Sequence, residues 1–400
     1  LHSFNEVAEE ILKALDNEEL RRGLTRSLIN LSENPIRVIE NWKYLTEYAK
    51  YVRSVKERTL KNLDYYIDET IKNIEKVSGH GYLARTRDEA LKIIDEIIGD
   101  PPKLIVKAKS MVTEEIGLRG YLIRRGYEVY ETDLGELLIQ LSNGKPMHST
   151  APAVHIPRER AVELLNSAGV NVDKNMPIPE VIRRVRLFLR KKFINADIGI
   201  SGANVVAADT GTIFLISNEG NIRHVTNLPE IHISITGVEK IMPTMKDAFL
   251  QALVQAGYAG LYPPTYLSLI SGPSSTADIE HYRVYGAHGP KEVHLILYDG
   301  GRMSYLGDPI LYEQLYCIRC GRCQQECPVW DLVGNIWGGS VYGGPMGIGW
   351  TAITESLDKA MLLSHFCLNC GRCMEACPME INMPRIIRSL KKMYFEKKFD

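Results

Sequence analysis

All eight cysteines of this 400-residue chain fall into two runs of one pattern. Cys317, Cys320, Cys323 and Cys327 form the first, and Cys367, Cys370, Cys373 and Cys377 the second; a proline follows the last cysteine of each. C-x2-C-x2-C-x3-C-P is the spacing that holds [4Fe–4S] clusters, with three thiolates on one cube and the fourth on its neighbour. The spacing therefore predicts two clusters with crossed ligands. Cys317, Cys320, Cys323 and Cys377 would hold one, and Cys367, Cys370, Cys373 and Cys327 the other. A structural zinc site needs two C-x2-C knuckles closing on one metal and leaves the x3-Cys-Pro ends unexplained. A disulfide framework does not suit a long chain that lacks a secretory segment.

Elements must position these runs, and the chain reads as three regions. Residues 1–80 read as helical. Ser3 with Glu6 makes a capping box, and Phe4, Val7, Ala8, Ile11, Leu12 and Leu15 recur at helical spacing. A later helix carries Leu60, Leu63, Ile67, Ile71 and Ile74 and stops at Gly79. Trp42, Tyr44, Tyr48 and Tyr51 between them read as a packing face. Residues 81–300 alternate helices with strands. Thr86 and Glu89 cap a helix, Leu104–Ala108 is a strand, and a helix runs from Glu114 to Arg125. Strands follow at Tyr127–Tyr130, near Ala196–Ile200, and at Val205–Ala208, Thr212–Ser217, His232–Thr236, Leu267–Ile270 and Val293–Tyr298. Such alternation predicts an open, mostly parallel sheet with helices on both faces. Residues 301–400 hold the cysteine runs, a Gly-rich spacer and a helix over Ala352–Ser364. That spacer is too long for a small hairpin ferredoxin and predicts an α-helical ferredoxin-like module.

An open α/β sheet binds ligands beyond the carboxyl ends of its strands. Loops after strands supply Lys109, Asp209 with Thr210, and Ser271, Ser274 and Asp278. These six are the candidate ligand-binding residues, with Lys109 offering charge to an anion and the serines offering donors. The same residue types dominate tight turns and caps, so a plain structural role stays open. Glu219 has the type of a covalent carboxylate nucleophile, but one loop glutamate carries no sign of activation. Neither G-x-G-x-x-G nor G-x-x-x-x-G-K occurs in these loops, so dinucleotides and ATP have no support there. His148, His155, His224, His232, His281 and His288 lack the close spacing of a metal site and read as satisfied polar groups.

A formal net charge of −1 gives no basic face for nucleic acid. No apolar run is long enough for a transmembrane segment. No basic-then-apolar leader opens the chain, although residue 1 is leucine rather than methionine. Thiolates committed to iron belong in a reducing compartment, which predicts the cytoplasm.

Together with the cysteines, these loops resemble the lactate-utilisation iron–sulfur protein family, the LutB/LldF group. The resemblance rests on Lys109-Ser110-Met111-Val112-Thr113-Glu114-Glu115, Glu131-Thr132-Asp133-Leu134-Gly135-Glu136, and Pro146-Met147-His148 with Pro152-Ala153-Val154-His155. Ala208 to Thr212, Ser217 to Gly220, Cys317 to Gly321 and Tyr342 to Gly347 extend it. It implies a LUD domain, related in fold to phosphosugar isomerases and CoA transferases, and an electron-transfer subunit of a cytoplasmic complex oxidising L-lactate, or a related 2-hydroxy acid, to pyruvate. The implied partners are a CCG-domain protein and a second LUD protein, or a flavin-dependent 2-hydroxy-acid dehydrogenase. A heterodisulfide-reductase-like partner, or a LUD domain acting as an enzyme or metabolite-binding module, are the alternatives. Relatives of this kind continue beyond the second run, whereas this chain ends in a basic tail, Arg385 to Lys398.

Overall fold

The computed structural model describes residues 4–399 and begins with four helices: α1 (Phe4–Asp16), α2 (Glu18–Asn41), α3 (Tyr44–Lys61) and α4 (Leu63–Lys76). The cap expected from Ser3 lies outside the described residues. α1 buries Val7, Ile11 and Ala14 along one face, as its periodicity requires. The helix read through Leu60 and Ile74 is broken at Asn62, whose φ of −128° and ψ of 34° end α3. Leu60 and Leu63 are both buried on either side of that break, so the apolar pattern survives the corner. The aromatics here pack: Trp42 meets Tyr262 edge-on at 5.2 Å, and the Tyr44 and Tyr262 hydroxyls are 2.8 Å apart.

The strands are β1 (His80–Ala84), β2 (Leu104–Lys107), β3 (Glu128–Glu131), β4 (Ile198–Ser201), β5 (Val205–Ala207), β6 (Thr212–Ser217), β7 (Ile231–Gly237), β8 (Ile241–Met242), β9 (Tyr266–Ile270), β10 (Ser275–Thr276), β11 (Val284–Tyr285) and β12 (Glu292–Tyr298). Six of them form a wholly parallel sheet in the order β1-β12-β7-β4-β2-β3. Burial on both faces explains runs such as Val-His-Leu-Ile-Leu in β12, apolar with little alternation. Packing is closest at Gly199 of β4, where a Cβ would stand 1.8 Å from the Val225 carbonyl oxygen. Only glycine admits the helix lying over the strand there.

Three differences from the sequence reading have local causes. β5, β6, β8 and β9 form a separate mixed sheet, because the short Asp209–Gly211 turn folds β6 back antiparallel on β5. The helix expected over Glu114–Arg125 is split into Met111–Glu115 and Leu118–Arg124 by Gly117 at φ +63°. In the C-terminal region, helices Gly344–Thr354 and Leu357–Leu363 replace the one expected over Ala352–Ser364, so part of the Gly-rich spacer is itself helical.

Thr86 accepts a hydrogen bond from the Glu89 N–H and starts α5 (Arg87–Ile98), while the Glu89 carboxylate takes the Arg85 N–H. Two cores flank the parallel sheet, one around Ile94, Ile116 and Ile198 and the other around Leu137, Val185 and Phe193. A third runs without a break from α1–α4 through the second sheet to the cysteine runs. Polar contacts also bind α3 to the cysteine region: Arg53 stacks on the Tyr316 ring at 3.4 Å and donates to the Met379 carbonyl at 2.8 Å.

Candidate metal centres and the adjoining cleft

The two cysteine runs have the same local build. A 3-10 turn, Leu311–Tyr316 or Ser364–Phe366, delivers the first cysteine. Arg319 or Asn369 then takes a positive φ (59° and 54°), as does Gly321 or Gly371 (82° and 85°). One-turn helices, Arg322–Gln325 and Arg372–Glu375, carry the third cysteine. The left-handed residues curl the backbone around the thiols and aim N–H groups at them. Asn369 donates to the Cys367 sulfur at 3.3 Å, and backbone groups of Arg322, Trp330 and Ile381 bear on Cys320, Cys327 and Cys377.

The fold brings cysteines of different runs together. Cys377 lies close enough to Cys320 and Cys323 to act on their thiols, and its own thiol feels Cys317. Cys327 stands in the same relation to Cys367 and Cys373, and a small cavity is lined by Cys327, Cys367, Cys370 and Cys373. Burial pushes the Cys327, Cys373 and Cys377 thiols up to about 12, and Cys320 and Cys323 higher still. Such thiols give up their protons only to a strong positive partner, which an iron ion supplies. Soft sulfur donors, apolar walls and N–H groups aimed at sulfur thus fit iron–sulfur clusters. Exposure differs across the region. Cys317, Cys320 and Cys323 are buried, whereas Cys370 is exposed beside Leu368, itself 67% exposed.

A cavity of about 380 Å³ lies between the first cysteine run and the carboxyl ends of the parallel strands. Lys109 enters it after β2, Glu219 after β6 and Lys240 after β7, while Arg319 and Met346 close it from the cysteine side. The Met346 sulfur is 3.9 Å from that of Cys317. Behind the cleft, buried charges bind the two regions. Glu239 pairs with Arg302 at 2.5 Å and Arg319 at 2.8 Å, and Lys56 donates to its carbonyl at 2.6 Å. Arg302 also pairs with Glu115 at 2.6 Å, which Tyr342 hydrogen-bonds from the C-terminal region. Burial alone would raise the Glu239 carboxyl, but Arg302 and Arg319 outweigh it and hold it at about 2. A second buried set sits at the ends of β2 and β3, where Lys107 meets Glu131 at 2.8 Å and Glu114 at 3.1 Å.

The six expected ligand-binding residues do not converge. Lys109 alone lines this cleft, with Glu136 at 3.6 Å. Asp209 is exposed and accepts from the Met245 N–H and the Thr210 hydroxyl, which is a capping role. Thr210 joins Ser271 through the Thr212 hydroxyl, at 2.8 and 2.7 Å. Ser274 and Asp278 belong to the β10–β11 arm, where Ser274 accepts the His288 N–H and Asp278 the Thr276 hydroxyl. The second sheet explains the scatter, since it carries Asp209 and Ser271 away from the ends of the parallel strands. Glu219 does line the cleft; burial and then the neighbouring Asp133 push its carboxyl up to about 7.

Sequence reasoning missed Arg319, Lys240, Glu239 and Lys107. For Lys107 the available signal was a charged residue ending an otherwise apolar strand. It also passed over His80, Glu292 and His294, whose ligand-type atoms lie within 4.8 Å of one another at the far end of the sheet. There the Tyr82 hydroxyl and the Glu292 carboxylate engage the two His294 nitrogens at 3.2 Å each. Among the histidines read as satisfied, His148 takes two backbone N–H groups on Nδ1 while its buried Nε2 has no hydrogen-bond partner.

The LUD domain family matches residues 67–298, from within α4 to the last residue of β12. The 4Fe-4S dicluster domain family matches residues 313–381, spanning both cysteine runs. The chain is 35% identical over 342 residues to Lactate utilization protein B of Bacillus subtilis (strain 168), covering 85% of this chain and 69% of that protein. Proteins of the same name from Macrococcus caseolyticus (33% over 347 residues, 86% of this chain and 71% of theirs) and Shouchella clausii (37% over 321, 80% and 65%) are also similar. A solved DUF162 family protein from Deinococcus radiodurans aligns at 13% identity and a TM-score of 0.29, over 60% of this chain and 98% of its own.

Proposed function

The chain belongs to the lactate utilization protein B family, and from that membership we propose that it is an electron-transfer subunit carrying two [4Fe–4S] clusters. Cys317, Cys320, Cys323 and Cys377 hold one, and Cys327, Cys367, Cys370 and Cys373 the other. The complex it serves oxidises L-lactate or a related 2-hydroxy acid to pyruvate in the cytoplasm. A partner's cofactor, in a CCG-domain protein or a flavin dehydrogenase, carries the two-electron substrate chemistry.

The gradient of exposure along the cysteine runs supports this reading most directly. Cys317, Cys320 and Cys323 lie buried behind Arg319 and Met346 of the cleft wall, whereas the second set includes exposed Cys370. Each cluster, when bound, takes up and returns one electron. The chain's own residues do the rest. Backbone N–H groups at Cys320, Cys327 and Cys377 offset negative charge on sulfur, which favours the reduced state. Trp330, Trp337 and Trp350, all fully buried, keep water from the region between the runs. No helix among the described residues is long and apolar enough to cross a membrane, in keeping with docking to protein partners.

Iron content tests the reading. Anaerobically purified protein should hold about eight irons per chain, and Cys320→Ser should lose about half of them. Four irons in the intact chain, or stoichiometric zinc, would overturn it. Co-purification from the native source then identifies which partner cofactor exchanges the electrons.

A further inference from the structure

We infer that the cleft between the parallel strands and the first cysteine run binds a small hydroxy- or oxo-carboxylate, with Lys109, Lys240 and Arg319 as its anion-binding wall. The inference rests on the electron-relay reading for its redox meaning, and on the cleft alone for its chemistry.

Three observations carry it. The first is unsatisfied donor capacity. The Lys109 Nζ is buried and makes no hydrogen bond; it forms an ion pair with Glu136 at 3.6 Å. Lys240 makes one hydrogen bond, 2.8 Å to the Ala203 carbonyl. An ammonium has three donors, so both side chains have donors to offer an oxyanion. Buried donors left unpaired are costly, and a bound carboxylate would satisfy them. The second is the facing pair of acids. Asp133 and Glu219 both line the cleft, and burial and then Asp133 push the Glu219 carboxyl up, so this side of the cleft repels an anion less than two ordinary carboxylates would. The third is size and polarity. About 380 Å³ suits a molecule of a few carbons with ordered water. Leu215, Ile216 and Met346 give it an apolar side, while Ser149 and Asn218 give it further polar contacts.

The cleft also adjoins the loop of the first cysteine run. Arg319 lines it and donates to the Cys317 carbonyl at 3.0 Å. A ligand against Arg319 therefore stands at the buried end of the relay.

Calorimetric titration of the iron-replete full chain with pyruvate, L-lactate and inorganic phosphate, each in turn, tests this. Saturable one-to-one binding of at least one carboxylate is expected, tighter than phosphate. Lys109→Gln and Lys240→Gln should each weaken it about tenfold or more with iron content unchanged. Ser274→Ala, on the distant arm, should bind as the parent does. No saturable carboxylate binding, tighter binding of phosphate, or parental affinity in both lysine variants would overturn the inference. Should the lysine variants fail to fold, the paramagnetic spectrum of the reduced parent protein decides. Saturating pyruvate or L-lactate should perturb the cluster beside Cys317, and an unchanged spectrum with both would overturn the inference. Full iron without binding removes the cleft ligand and leaves the relay standing, whereas binding without two clusters does the reverse.

Discussion

The Arg319 guanidinium, on the two-residue link between Cys317 and Cys320, lies 2.8 Å from the Glu239 carboxylate just beyond β7. This pair crosses the boundary between the parallel sheet and the cysteine region, and it is buried on both sides. Arg319 also lies over the Trp350 ring at 3.8 Å, which helps fix its left-handed backbone at φ +59°. The loop that presents two thiols is thus oriented by a carboxylate from the other domain.

Breaking that pair should be costly. Glu239→Gln leaves Arg302 and Arg319 buried without their shared counter-charge, a loss on the order of 3–5 kcal/mol. We expect a Tm several degrees lower under anaerobic conditions and faster loss of iron. Because the Glu239 carboxyl is held at about 2, below its ordinary value of 4.5, its contribution is complete above pH 4.5. It fades as pH falls toward 2, so at neutral pH the deficit of Glu239→Gln should not vary with pH. A parental Tm would show that the pair is dispensable.

The proposed crossed ligand sets make a second prediction. Cys377→Ser and Cys317→Ser should alter the same paramagnetic signal, although 60 positions separate them in the sequence. Cys327→Ser should instead match Cys367→Ser. If Cys377→Ser matched Cys367→Ser, each run would be holding its own cluster.

What the sequence revealed follows the range of the physics involved. Cluster chemistry is local, so the spacing from Cys317 to Cys327 was enough to name the ligands' chemistry. β6 was legible at Thr212–Ser217 because β-branched and aromatic residues between turns announce a strand. β1 was hidden, since Gly81 interrupts its pattern and its stability comes from β12, more than 200 positions away. Glu239 and Arg319 were hidden for the same reason: nothing local says that a glutamate will meet an arginine 80 positions later. Asp209, Ser274 and Asp278 were chosen by type, and the polar types that line binding sites also cap turns.

The cleft predicts a pH dependence for carboxylate binding. Burial, then Arg319, lowers the Lys240 ammonium to about 7, and burial, then Asp133, raises Glu219 to about the same value. As pH rises through 7, Lys240 loses its positive charge and Glu219 gains a negative one, while Lys109, Asp133, Glu136 and Arg319 also face or border the site. Both changes oppose an anion, so affinity should fall between pH 6 and 8. Glu219→Gln, which cannot ionise, should flatten part of that fall. Affinity that rises with pH over this window would contradict the assignment.

The exposed end of the proposed relay yields the last prediction. Cys370 is exposed, and Leu368 and Met374 beside it in sequence are 67% and 37% exposed. Large apolar side chains next to an exposed cluster ligand are what a protein docking site presents, since a partner's redox centre must come close and exclude water. The C-terminal helix Met383–Phe399 adds positive charge nearby through Lys391, which acts on Cys367. Leu368→Glu should therefore slow electron exchange with the native partner by about tenfold or more, by placing a charge where an apolar contact forms. Iron content and the spectra of both clusters should stay unchanged. Ile279→Glu, on the distant β10–β11 arm and 81% exposed, removes as much apolar surface but should leave the rate alone. Stopped-flow reduction with each variant separates the two. Equal slowing by both would indicate a general effect of added charge, and parental rates in Leu368→Glu would place electron exit elsewhere on the surface.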